Sequence, residues 1–386
     1  MYNAFPDHTT KKYPMKLENN YLYPLALKLG KGIGPVLYKS LIDEFGSAKN
    51  IFCTEMKHIG KVKKGGFDIS SLLQEKEVLL SKAAHLSQAQ KRKSIKTTTY
   101  GEQGYPQRLA QLHAPPPLLY YKGNAKLTAR HVVSIVGTRY PTHYGKEVTK
   151  ALVGQLKAYD TLIVSGLAYG IDITAHQEAL AQGMRTIAVM PGGLDMIYPP
   201  DHIHTVEAIT KAEGAVISEY GLGTRPMQHY FPARNKVIAG IADATIVVEA
   251  PKRSGALITA YYANEFNRDV FAVPGPINSQ SNEGCHQLIK KHLAHLLTHV
   301  NDLAYVMNWS KEEDRSTAKH YTMLSMDLTP LEKKTVTLLA NSPKQAVTMD
   351  ALQRHLNIPT KEITAITLAL ELKGILLVTG HGYMLV

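Results

Sequence analysis

Short runs of Val and Ile separated by helical patterns between residues 131 and 273 predict an α/β fold built on a Rossmann-like, doubly wound parallel sheet. Helical periodicity before residue 98 adds an N-terminal helical module of SAM-like or helix-hairpin-helix type. Three helices and a hairpin after residue 328 add a C-terminal winged-helix domain. The divisions read as a tail over 1–19, the helical module over 20–98, the sheet domain over 99–307, a linker over 308–327 and the winged helix over 328–386.

At 386 residues the chain is long enough for two or three domains. Its 44% hydrophobic and 20% charged content is that of a globular protein, and its apolar runs fall well short of the roughly 18 residues a membrane span needs. Met1 to Asn20 lacks the pattern of a secretory leader, and Cys53 and Cys285 cannot build a disulfide framework, so a soluble protein of the reducing cytoplasm is expected. Of the net charge of +12, residues 1–98 carry +9, residues 99–324 carry +2 and residues 325–386 carry +1. Such asymmetry suits nucleic acid, an anionic membrane surface or an acidic protein, with a solubilising lysine face as the alternative.

In chain order, Leu22, Leu25, Ala26 and Leu29 lie on one helical face. Gly32-Ile33-Gly34 follows, and Val36, Leu37, Leu41, Ile42 and Phe45 continue a second helix. The glycine hairpin is suited to placing backbone N–H groups on a phosphate, with Lys31 and Lys39 nearby; a plain packing turn is the other reading. Two helices fill Leu72 to Gln90, and Lys91-Arg92-Lys93 closes the module. After Tyr105-Pro106 and Pro115-Pro116-Pro117 come candidate strands at His131 to Val136, Thr161 to Val164, Thr186 to Met190, Ala215 to Ser218, Thr245 to Val248 and Val270 to Val273. The polar stretch Asn308 to Asp327 reads as a linker. Helices are then expected from Pro330 to Leu339, Met349 to His355 and Thr360 to Leu372, the last stopped by Gly374, before a hairpin of Ile375 to Val378 and Tyr383 to Val386.

Open parallel sheets bind ligands beyond the carboxyl ends of their strands, so the residues there are the candidate site. Gly137, Thr138 and Arg139 follow the first strand, and Ser165 and Gly166 begin the turn after the second. Glycine allows close approach of an anion, and Arg139 can hold a phosphate with two parallel hydrogen bonds; a salt bridge pinning the turn is its structural alternative. Phe231, Arg234, Asn235 and Lys236 open another helix, pairing a stacking ring with cations as single-strand binding requires. Lys252 and Arg253 complete the candidate set. Ser165, Asp172 and His176 resemble hydrolase components, yet Asp172 is better read as a helix N-cap with His176 facing inward one turn later. The 17 histidines form no metal-binding spacing, so neither a metal nor a cofactor is expected.

From Tyr105-Pro106 through Val136 to Arg139, Ser165 to Asp172, Ala175-His176, Gly193-Leu194-Asp195, Tyr198-Pro199 and Ile217-Ser218-Glu219, the sequence resembles the DprA/Smf family of DNA-processing proteins. Phe231 to Asn235, Ser254 to Ala260 and Val273-Pro274-Gly275 extend the resemblance. It implies a protein that binds incoming single-stranded DNA during natural transformation, protects it and helps load the RecA recombinase, with homodimers formed through the Rossmann-like domain. It also implies that Arg139 contacts phosphate, Phe231 stacks, and Arg234 and Lys236 belong to a basic pocket. Lys236 stands where the family pattern has a second arginine, and Pro200, Asp201, His202 and His204 occupy a stretch that many relatives fill with basic residues.

The rival class is a nucleotide enzyme of the phosphoribohydrolase type, whose related fold carries a Pro-Gly-Gly turn. Such enzymes follow the turn with Gly-Thr and a catalytic glutamate, whereas Pro191-Gly192-Gly193 here precedes Leu194-Asp195. A binding protein with no catalytic residues is therefore the preferred reading.

Overall fold

The computed structural model describes residues 21–54, 63–64, 67–124, 127–311, 328–340, 346–379 and 382–385. The tail expected over 1–19 and most of the expected linker, residues 312–327, lie outside them. The chain divides into two compact units, Met1–Trp309 and Ser310–Val386.

In the first unit, β1 (Lys63–Lys64) and β2 (Phe67–Asp68) form a small antiparallel pair. The remaining strands are β3 (Lys96–Thr99), β4 (Leu118–Gly123), β5 (His131–Val136), β6 (Thr161–Ser165), β7 (Thr186–Val189), β8 (Ala215–Ser218), β9 (Ala244–Val247), β10 (Asp269–Ala272) and β11 (His295–Leu296). Among the described residues these nine make one sheet in the order β11-β10-β9-β5-β6-β7-β8-β4-β3. The run from β11 to β8 is parallel; β4 and β3 are added antiparallel. The six strands expected from the Val/Ile runs are therefore parallel members of a doubly wound sheet. β3, β4 and β11 were not expected, for the polar Thr97 to Thr99 and the proline run before Leu118 both look like loop.

The central strands are buried on both faces, which explains their unbroken apolar character. On β5, Val132 and Val136 join one core with Leu162, Val164 and Val247, while Val133 and Ile135 face another with Leu152, Ile163 and Ile246. Between β5 and β9, Ser134 Oγ donates to Thr245 Oγ1 at 2.7 Å, so the buried hydroxyls satisfy each other.

The N-terminal helices are Leu22–Leu29, Pro35–Phe45, Ala48–Cys53, Ile69–Gln74 and Lys76–Arg92. Leu25, Tyr38, Leu41 and Leu79 share a core with Leu118 and Tyr120 of β4 and Val216 of β8. The boundary expected at 98–99 falls inside β3, which pairs with β4. Lys39 of the hairpin bonds Asp43 at 2.5 Å and the Tyr100 hydroxyl at 2.8 Å.

In the second unit, helices Pro330–Ala340, Met349–Leu356 and Thr360–Leu372 precede the hairpin of β12 (Leu376–Thr379) and β13 (Gly382–Leu385). Val336, Leu339, Leu352, Ile363, Leu370 and Leu376 form its own core. The Thr329 N–H donates to Glu332 Oε2 at 2.7 Å and the Glu332 N–H donates to Thr329 Oγ1 at 3.3 Å, a reciprocal cap that starts the first helix. Gly374, at φ +68°, ends the third helix in the left-handed conformation. No helix among the described residues is long and apolar enough to cross a membrane.

Candidate functional site

Strand order reverses at β5: the chain winds outward through β6, β7 and β8, then returns to place β9 on the other side. The polypeptide therefore leaves β5 and β9 in opposite directions, opening a crevice beyond their carboxyl ends. Into it project Gly137 to Tyr140 after β5, the start of the helix Tyr230–Ile241, and Arg253 to Gly255 at the start of the helix Gly255–Glu265. They enclose a cavity of about 350 Å³.

Gly137, Thr138, Arg139, Phe231, Asn235 and Arg253 all line this cavity. Arg139 and Arg253 are exposed at its mouth, while Phe231 is half-buried. The Arg139 guanidinium carbon lies 5.6 Å from the Phe231 ring centre, and the edge of Tyr198 meets the same ring at 5.7 Å. Asn235 Nδ2 donates to the Gly255 carbonyl at 3.2 Å, tying the two helix starts together. Ser254 caps the second helix by accepting from the Ala256 N–H at 3.3 Å. The wall thus combines cations, an aromatic face and a helix N-terminus, an arrangement suited to phosphate and base together.

Arg234 also lines the cavity, yet it is buried, and its Nη1 donates to the carbonyls of Gly166 and Val189, the latter at 2.9 Å. Burial lowers its pKa to about 10, with Asp172 opposing and Arg139 reinforcing the shift. Asp172 is raised by burial, against the pull of Arg234 and its own hydrogen bonds. A Cβ on Gly166 would collide with the Arg234 guanidinium, so only glycine lets the two approach here.

Asp172 is not the N-cap expected from the sequence. That position belongs to Gly170, and Asp172 lies within the helix Ile171–Ala181, its Oδ2 accepting from Gly166 N at 3.2 Å and Ala168 N at 3.4 Å. The carboxylate folds back to brace the turn ahead of the helix instead of closing the helix itself. His176 does face inward: it is fully buried, with Nδ1 bonded to Thr186 Oγ1 at 2.7 Å. Thr186 Oγ1 also meets the Ile163 carbonyl at 3.0 Å, which ties the ring to β6. Burial drives the His176 pKa down to about 3, so the ring is neutral. Ser165 Oγ donates to the Ile135 carbonyl at 2.6 Å, and no relay from His176 to Ser165 forms.

The other candidate residues are placed elsewhere. Lys236 is exposed with Nζ 5.0 Å over the Tyr262 ring, outside the cavity wall. Lys252 faces Glu283 at 3.5 Å. Ser165 lies beneath the floor, and Gly166 lines a tight recess beside Tyr169, Tyr198 and Phe231. On the Pro200 to His204 stretch, Asp201 accepts from the Tyr169 hydroxyl at 2.6 Å and His202 Nδ1 bonds the Leu167 carbonyl at 2.8 Å, so this rim offers an anion little. Tyr140, 89% exposed on the cavity rim, and the buried Glu249 behind it were missed; an aromatic directly after the strand-end arginine was the available signal for the first. Among the described residues no cluster of three or more His, Cys, Asp or Glu is placed to hold a metal.

A model of the family described as DNA recombination-mediator protein A matches residues 96–308. Protein Smf of Synechocystis sp. is 42% identical over 273 residues, which span 69% of this chain and 68% of that protein. DNA processing protein DprA of Streptococcus pneumoniae is 43% identical over 199 residues, spanning 52% of this chain and 70% of that protein. The X-ray structure of the S. pneumoniae protein aligns with a TM-score of 0.59 at 33% identity, covering 75% of this chain and 98% of that one. A structure of DNA processing protein A from Helicobacter pylori, described by its single-stranded DNA binding mode, aligns with a TM-score of 0.50 at 30% identity, covering 56% and 97%.

Proposed function

The chain belongs to the DNA recombination-mediator protein A family, and on that premise we propose that it binds single-stranded DNA in the crevice at the sheet's switch point. The observation that carries this reading is the placement of the exposed Arg139 guanidinium 5.6 Å from the Phe231 ring at the mouth of the cavity. A phosphate bound by Arg139 and Arg253 leaves its base beside Phe231 and Tyr140, and stacking needs an unpaired base. Arg234 supports the floor, and Asn235 with the Gly255 helix start shapes the wall. Lys236 and Lys252 contribute charge from outside.

In this reading the protein protects incoming single strands in natural transformation, helps load RecA and forms a homodimer through the Rossmann-like domain. The N-terminal helices act as a SAM-like or helix-hairpin-helix module, and the second unit is a winged-helix domain. No bond is made or broken at the site. The phosphoribohydrolase alternative gains nothing from Asp195, which follows the Pro-Gly-Gly turn: its carboxylate accepts from the Gly223 N–H at 3.1 Å and faces Lys93.

The test is a binding titration against single-stranded DNA, duplex and a mononucleotide at several salt concentrations. Single strands are expected to bind tightest, with the logarithm of affinity falling by about 0.7 per phosphate neutralised for each decade of salt. Equal affinity for duplex, or hydrolysis of the mononucleotide, overturns the proposal. RecA loading is tested by the rate of RecA filament formation on single strands with and without the protein.

A further inference from the structure

Glu249 lies just beyond β9 and is fully buried. Its backbone carbonyl accepts from the Thr138 N–H at 2.7 Å, and its carboxylate Oε2 accepts from the Thr142 N–H at 2.9 Å and Thr142 Oγ1 at 3.3 Å. One residue thus grips both ends of the turn 138–142. Between those ends stand Arg139 and Tyr140, the exposed groups on the rim. Thr142 in turn caps the helix His143–Leu156 by accepting from the Gly145 N–H at 3.2 Å, so the carboxylate sits against that helix's N-terminal end.

This arrangement is a poor one for stability. The second carboxylate oxygen, Oε1, is buried without a hydrogen-bond partner, and no Lys, Arg or His forms an ion pair with Glu249 among the described residues. Burying an acid with one oxygen unsatisfied costs the folded state part of what the Oε2 hydrogen bonds return. What the carboxylate supplies that an apolar group cannot is an acceptor for the Thr142 N–H.

We propose that Glu249 is a positioning residue for DNA binding: it fixes the 138–142 turn so that the Arg139 guanidinium meets phosphate. The inference rests on the reading of Arg139 as a phosphate contact. It makes a prediction opposite in sign to simple electrostatics. Removing a negative charge behind a DNA site strengthens binding through space, whereas loss of positioning weakens it.

The experiment uses the full chain and a labelled oligothymidylate, with affinity measured by anisotropy at several salt concentrations for wild type, Arg139→Ala, Glu249→Ala, Glu249→Gln and the Arg139→Ala/Glu249→Ala double variant. Glu249→Ala is expected to bind about tenfold more weakly than wild type, yet to add less than about twofold to the loss in Arg139→Ala, because the two act through one contact. Its salt slope is expected to fall with that of Arg139→Ala, by about 0.7. Glu249→Gln, which is neutral but keeps an acceptor oxygen, is expected to bind at least as well as wild type. Should Glu249→Ala not fold, Gly145→Ala is measured in the same two backgrounds, since a Cβ there would collide with Oε2. Tighter binding by Glu249→Ala, equal losses in both backgrounds, or a glutamine variant as weak as the alanine one overturns the inference while leaving the site reading intact. Wild-type binding by Arg139→Ala overturns both.

Discussion

Arg139 stands exposed beside the cavity in the turn after β5, whereas Arg234 is buried beneath it with Nη1 on two backbone carbonyls. The same side chain therefore gives opposite expectations in the two places. Arg139→Glu should leave the melting temperature unchanged and weaken single-strand binding by more than about tenfold, because a charge-assisted phosphate contact becomes a repulsion. Arg234→Gln should lower stability by about 3–5 kcal/mol, since it strips Asp172 of its buried counter-charge; calorimetry separates the two. Phe231→Ala should cost about 1–3 kcal/mol of binding if a base stacks on the ring. A large fall in melting temperature would instead assign that ring to packing against Tyr198 and the arginines. His176 sets a pH dependence. Its folded pKa is depressed to about 3, so below the ordinary histidine range the unfolded chain takes up a proton that the native state refuses. Its contribution is complete above about pH 6.5 and declines by about 1.4 kcal/mol per pH unit as acid is added, and His176→Gln should flatten that part of the stability curve measured by denaturant titration. The sequence made these side-chain types visible at the ends of strands. The inward-facing His176 was legible from its place one turn into the helix, but the burial of Arg234 was not, because the carbonyls that enclose it come from Gly166 and Val189, on two other segments.

At the scale of elements, the parallel strands were legible because burial on both faces leaves a continuous Val/Ile run, a signal carried by each strand itself. The edge strands were not. Thr97 to Thr99 become a strand only because Leu118 to Tyr121 lie alongside, and that pairing is a property of two distant stretches. The same pairing ties the N-terminal helices to the sheet, since Leu118 and Tyr120 share a core with Leu41 and Leu79. A chain beginning at residue 99 would lack β3 and bare the apolar face of β4. It is expected to melt at lower temperature and to aggregate by light scattering, a test of whether the helices fold apart from the sheet. The contribution of their positive charge to DNA binding is therefore better measured by replacing exposed lysines such as Lys31 with glutamine, where a shallower salt slope marks phosphate contact and an unchanged slope marks solubility.

For the whole molecule, charge and compactness divide the work. The second unit has its own core and a near-neutral composition, with residues 325–386 at +1. On its third helix Lys361 is followed by Glu362, and Leu368 and Leu372 are exposed, a surface better suited to protein than to phosphate. Deleting residues 310–386 is expected to leave single-strand affinity within a few fold, and the isolated unit should not shift duplex DNA in a gel; steeply salt-dependent duplex binding would assign it a DNA-reading role. The cavity in the first unit has a different consequence. Its walls are drawn from Gly137 to Tyr140, Phe231 to Asn235 and Arg253 to Thr259, stretches brought together only when the sheet is complete. An unfolded chain holds no such site, so DNA bound there, as proposed, is expected to act as a thermodynamic weight on the native side of the folding equilibrium. At a free concentration one hundred times the dissociation constant that weight is about 2.7 kcal/mol, enough to displace the melting transition of the first unit upward while the transition of the second stays where it was.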